Sequence, residues 1–121
     1  MTIIVAIDGP SGSGKSSTAK ALARRAQWDY LDTGALYRAT TWLALENGLT
    51  EESEIVALLE EAPISISTEP ERERIEVQSQ DVSTAIREER VTSSVSFYSA
   101  MPKVRNQLVR LQRRIISEAR N

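Results

Sequence analysis

The spacing of apolar and polar positions changes along this 121-residue chain, and each change predicts a different element. Ile3-Ile4-Val5-Ala6-Ile7 is an unbroken apolar run rich in β-branched residues, the pattern of a buried parallel strand. From Lys15 to Arg25 the spacing becomes helical, with Ala19, Leu22, Ala23 and Ala26 on one face and Lys20, Arg24 and Arg25 elsewhere. Trp28-Asp29-Tyr30-Leu31 predicts a second short strand, and Asp32-Thr33-Gly34 leads into another helix. Over Ala35 to Glu46 the residues Leu36, Ala39, Leu43 and Ala44 share a face, and Asn47-Gly48 supplies a C-cap. Thr50 is then placed to cap a helix carrying Ile55, Leu58 and Leu59, which Pro63 ends.

Beyond Pro63 the period drops to two. Ile64-Ser65-Ile66-Ser67 and Ile75-Glu76-Val77-Gln78 alternate about Glu69-Pro70-Glu71-Arg72-Glu73, which predicts a small, half-solvated antiparallel hairpin. A helical region is expected from Asp81 through Arg87 and on from Val91 to Ala100. Pro102 opens a long last helix whose stripe is Val104, Leu108, Leu111, Ile115 and Ala119. The aromatic residues Trp28, Tyr30, Tyr37 and Trp42 are most simply packing residues.

Composition narrows the chemistry. With 40% hydrophobic and 26% charged residues the chain is an ordinary globular domain, too short for a second one of independent size. A net charge of −2 argues for neither a nucleic-acid nor a membrane partner, so any anion binding must be local. No cysteine is present, which removes disulfides and thiolate metal sites and fits a reducing compartment. Histidine is absent too, so an imidazole base or a histidine-bound metal is ruled out for this chain acting alone. The N-terminus has no cleavable leader pattern and its apolar run is far shorter than the roughly 20 residues of a membrane span; a cytoplasmic location is the default expectation.

Between the first strand and first helix, Gly9-Pro10-Ser11-Gly12-Ser13-Gly14-Lys15-Ser16 fits G-x-x-x-x-G-K-[ST]. Glycines at such a turn let successive N–H groups close around phosphate oxygens, and the following helix, through Ser17, adds its N-terminal donors. Lys15 can reach β- and γ-phosphate oxygens, and the Ser16 hydroxyl is placed to ligate Mg²⁺ bridging them. A nucleotide carrying β- and γ-phosphates, with Mg²⁺, is therefore the expected ligand. The competing reading is a glycine- and serine-rich turn beside a solvated lysine. Asp8, at the strand end, could equally stabilise the turn.

A second motif narrows the family. With Ala6 to Ser16 followed by Tyr30-Leu31-Asp32-Thr33-Gly34-Ala35-Leu36-Tyr37-Arg38-Ala39, the chain closely resembles the cytidylate kinases of bacterial type, over their N-terminal portion. Gln80 to Arg87, and Val95-Ser96 leading to Pro102-Lys103-Val104-Arg105-Asn106-Gln107-Leu108, agree with it, so the resemblance covers essentially the whole chain.

It implies an α/β fold of the P-loop nucleoside-monophosphate kinase type. Residues 1–35 would start the phosphate-loop core, 36–100 would form an acceptor-binding insertion of helices and a small hairpin, and 101–121 would return to the core. The family's D-G-R-D segment, arginine-rich lid and further strands do not follow, so the fold is expected to be incomplete on its C-terminal side. In the family's sheet a strand from that part lies between the two found here. The two are therefore expected to stay unpaired with each other, with poor solubility, self-association, swapping or a partner chain as the consequence.

The activity implied is transfer of the ATP γ-phosphate to CMP or dCMP. An acceptor phosphate with a second pKa of about 6 needs no general base, which suits a chain without histidine. By resemblance Lys15 and Arg38 carry catalysis, Arg38 clamping the acceptor phosphate with its planar fork. Asp32 and Thr33 stand near the acceptor, Asp32 fixing the loop or a water on Mg²⁺. Ser96 and Arg105 stand at the base, where an arginine fork can tell cytosine from uracil. Against this, Arg105 belongs to a basic helix with Lys103, Arg110, Arg113 and Arg114, where a solvated face is the usual explanation. A related kinase for another small acceptor and a catalytically silent nucleotide-binding fragment remain open. A GTPase switch is disfavoured because no N-K-x-D motif occurs.

Overall fold

The computed structural model describes residues 4–7, 29–62, 64–67 and 74–118. Two strands, β1 (Ile4–Ile7) and β2 (Asp29–Asp32), precede helices α1 (Thr33–Glu46) and α2 (Glu52–Glu61). Three short strands follow, β3 (Ile64–Ile66), β4 (Ile75–Val77) and β5 (Gln80–Asp81), then a 3₁₀ turn (Ala85–Arg87) and helices α3 (Glu89–Ser99) and α4 (Pro102–Glu118).

β1 and β2 are hydrogen-bonded neighbours, parallel, with Ile4 opposite Asp29 and Ile7 opposite Asp32. This overturns the expectation that the two strands would stand apart. Strand backbone groups need partners, and the 21 residues between Ile7 and Asp29 are ample for a parallel crossover. With no third parallel strand among the described residues, the two satisfy each other along one edge. The expected helix of residues 15–25 lies outside the described residues.

α1 is the centre of the packing. Its residues Leu36, Ala39, Leu43 and Ala44 are buried as their spacing predicts, and so are Trp42, Thr40 and Thr41. The threonines are accommodated because each hydroxyl donates to the carbonyl one turn back, Thr40 to Leu36 and Thr41 to Tyr37, both at 2.9 Å. One face of α1 packs with Leu31, the hairpin residues Ile64, Ile75 and Val77, and Val82, Ile86 and Val91. A second cluster joins Ala44 to Ile55, Tyr98, Val104 and Leu108, and Leu45, Leu59 and Leu111 bridge the two. The last helix follows its predicted stripe: Val104 and Leu108 are buried, and Leu111 and Ile115 pack partly. Ala119 lies outside the described residues.

The predicted hairpin is present, with Ile64 opposite Val77 and Ile66 opposite Ile75. A third strand departs from the reading, because Gln80–Asp81 pairs back on β4 where a helix was expected to begin. Gln78 and Ser79 make the two-residue turn with φ of 51° and 67°, a primed-turn geometry usually written with asparagine and glycine. The Asp81 carboxylate then accepts the Ser83 N–H at 2.9 Å, a bond that holds it below the ordinary carboxylate range, and Ser83 Oγ accepts the Ile75 N–H. Helical backbone resumes only at Ala85. Thr50 does not cap α2 either. Glu51 occupies that position without a side-chain bond, its carbonyl accepting the Ile55 N–H at 3.1 Å.

Candidate functional site

The end of β2 and the first turns of α1 carry three of the expected acceptor residues. Asp32 is extended (φ −89°, ψ 96°) and its Oδ1 accepts the Ala35 N–H at 3.1 Å, so the carboxylate caps the helix and fixes the strand-to-helix turn. The helix therefore starts two residues earlier than its apolar spacing indicates. Thr33 is buried at the first helical position. Gly34 is exposed, and a Cβ there would stand 3.2 Å from Asp32 Oδ1, so a side chain would press on the cap.

Arg38 lies one turn beyond Gly34 and half-exposed. Its Nη1 donates to the Ile86 carbonyl at 3.2 Å and to Thr92 Oγ1 at 2.9 Å. The guanidinium thereby joins α1 to the 3₁₀ turn and to the first turns of α3. α3 is held in turn by Tyr98, whose hydroxyl donates to the Leu49 carbonyl at 2.7 Å, and by Arg90, which pairs with Glu46 at 3.0 Å.

Ser96 is exposed one turn beyond Thr92, so α3 presents Arg38's partner and the expected base-site serine along one line. Sequence reasoning missed Thr92 and the Ile86 carbonyl. The signal within reach was the i, i+4 relation of Thr92 to Ser96.

Arg105 sits exposed in the first turn of α4, where the Lys103 N–H donates to Glu52 Oε2 at 2.7 Å. At 100° per residue, Lys103, Arg110 and Arg114 fall on one stripe of α4, whereas Arg105 lies roughly 200° around from Lys103, across the buried Val104–Leu108 line. Arg113 falls between Arg105 and that stripe, about 80° from Arg105, and all four arginines are exposed, so a solvated face stays open as the competing explanation. The structure joins Asp32, Thr33 and Arg38 on one element and brings Arg38 to the helix of Ser96. No side-chain bond links Arg105 to them.

Gly9, Pro10, Ser11, Gly12, Ser13, Gly14, Lys15, Ser16 and Ser17 lie outside the described residues. Among the described residues no group of three histidine, cysteine, aspartate or glutamate side chains could hold a metal ion. No described helix is long and apolar enough to cross a membrane. A cleft of about 240 Å³ between α2 and α4 is lined by Leu59, Glu60, Ile64, Gln107, Leu108, Leu111 and Arg114. None of the expected site residues lines it, and the chemistry is better sought around Arg38.

Comparison with known proteins agrees over the same length. The family model described as cytidylate kinase matches residues 5–121. A cytidylate kinase of Nocardia farcinica is 49% identical over 120 residues, covering 98% of this chain and 52% of its own length. Those of Streptomyces avermitilis and Streptococcus thermophilus are 47% and 46% identical, over 98% and 96% of the chain and 52% and 53% of their own lengths. The chain thus spans about half the length of the curated relatives it matches.

Proposed function

The chain belongs to the cytidylate kinase family, and from that premise we propose that it carries the phosphate loop and acceptor site for transfer of the ATP γ-phosphate to CMP or dCMP. The observation that carries this reading is the placement of Arg38, directly after the Asp32-capped turn and bonded to the helix that bears Ser96.

In this reading the acceptor phosphate, already largely ionised near neutral pH, attacks without a general base. Arg38 binds its oxygens and Lys15 neutralises charge on the transferring group. Mg²⁺ bound with ATP would supply further neutralisation, with Ser16 as its ligand. Asp32 acts by fixing the turn that aims Arg38, Thr33 stands beside it, and Ser96 and Arg105 read the base, Arg105 presenting two donors to cytosine O2 and N3. In this division residues 1–35 start the phosphate-loop core, 36–100 make the acceptor-binding insertion and 101–121 return toward the core. The two-stranded sheet has a free edge on each strand among the described residues, which supports addition of a further strand or a second chain.

The test is ADP release with Mg·ATP and CMP, dCMP, UMP or AMP, with Lys15→Ala as the blank. CMP- and dCMP-dependent turnover is expected, absent in the blank. Arg105→Met is expected to weaken CMP by on the order of 10- to 100-fold with ATP nearly unchanged, and equal loss of both nucleotides would remove Arg105 from the base site. A second reading is nucleotide binding without turnover. Nucleotide binding without ADP release would establish it.

A further inference from the structure

Arg38 donates from one nitrogen, Nη1, to two acceptors that come from different elements. The Ile86 carbonyl is a rigid partner. Its residue is buried, its N–H donates to the Val82 carbonyl at 3.0 Å, and the Val82 N–H donates to the Ile75 carbonyl of β4 at 2.9 Å. The small antiparallel sheet therefore fixes where that carbonyl points. The second acceptor, Thr92 Oγ1, belongs to α3, where the Thr92 backbone is held by its N–H bond to the Glu88 carbonyl at 3.0 Å and the β-branched side chain is stiff at χ1. One bond leaves a guanidinium free to rotate about it; two acceptors from separate directions fix its plane.

We propose that Thr92 is a positioning residue for the acceptor phosphate, holding the Arg38 fork in its binding orientation; this rests on the function proposed above. A preoriented arginine is already ordered when the anion arrives, so less rotamer freedom is lost on binding. Thr92 does not touch the acceptor in this account. Its effect is confined to ligands that present a phosphate to Arg38.

Isothermal titration of the 121-residue chain with CMP, cytidine and Mg·ATP tests this, using Thr92→Val, which keeps the shape without the acceptor oxygen, and Thr92→Ser, which keeps the oxygen. Thr92→Val is expected to weaken CMP about two- to tenfold, leaving cytidine and ATP unchanged, and Thr92→Ser to restore it. Thr92→Ala gives the same phosphate-selective loss if the valine variant does not fold. Equal CMP affinity in wild type and Thr92→Val overturns the positioning role alone. So does a loss that extends to cytidine and that serine does not restore, which is the mark of a merely structural contact. A wild-type chain that ignores CMP overturns the functional reading, and the positioning role with it.

Discussion

Replacing Arg38 by methionine is expected to lower CMP affinity on the order of 100-fold, about 2.7 kcal/mol, while Mg·ATP binding changes by less than about threefold. The size follows from what is removed. Arg38 provides a delocalised charge and a planar donor fork, and the acceptor phosphate it would hold is a dianion whose charge-assisted bonds are about twice as strong as neutral ones. The same substitution removes the bonds to the Ile86 carbonyl and Thr92 Oγ1. Those are half-exposed, so the melting temperature should fall only modestly, in line with a net value of about 1 kcal/mol per hydrogen bond. Arg38→Lys retains charge without the fork and is expected to recover only part of the affinity. Titration calorimetry beside thermal melts separates the two effects. Parallel loss of stability and of both nucleotides would make Arg38 a structural tie.

The second large effect is on the fold. Leu36 is fully buried on α1, packed with residues of the first cluster. Leu36→Ala removes three carbons from a site that rigid neighbours cannot refill, with an expected cost of about 2–5 kcal/mol. Domains of this kind are stable by about 5–15 kcal/mol in total, so the variant should unfold far earlier in urea and lose CMP binding along with its helix. The helix connects stability to function, because Thr33 and Arg38 occupy its first and second turns. A change below about 1 kcal/mol by urea denaturation would contradict the central place given to α1.

These expectations depend on features of unequal visibility in the sequence. α1, α4 and the β3–β4 hairpin were legible because their apolar residues recur with the period of the element they form, and Asp32 before a helical run is a recognised cap type. β5 was hidden by its turn. Gln78-Ser79 carries none of the usual sequence signal for two positive φ values, so the chain read as entering a helix where it folds back. Thr50 is the better capping residue by type, yet Glu51 takes the position, so local preference does not decide where α2 starts.

Pairing of β1 with β2 could not be read locally either. Register between distant strands depends on which other strands are available, and the family's strand order pointed away from it. At the site, motif spacing singled out Arg38, but its partners lie 48 and 54 residues further along the chain. Only the fold brings them together.

The most direct test of the acceptor site is to titrate CMP into the isotopically labelled chain and follow its backbone amide resonances. The account predicts saturable shifts concentrated at Asp32 to Arg38, Thr92 to Ser96 and around Arg105, with cytidine sparing the region of Arg38. Shifts confined to the Leu59–Arg114 cleft, or none at all in a folded sample, would contradict it.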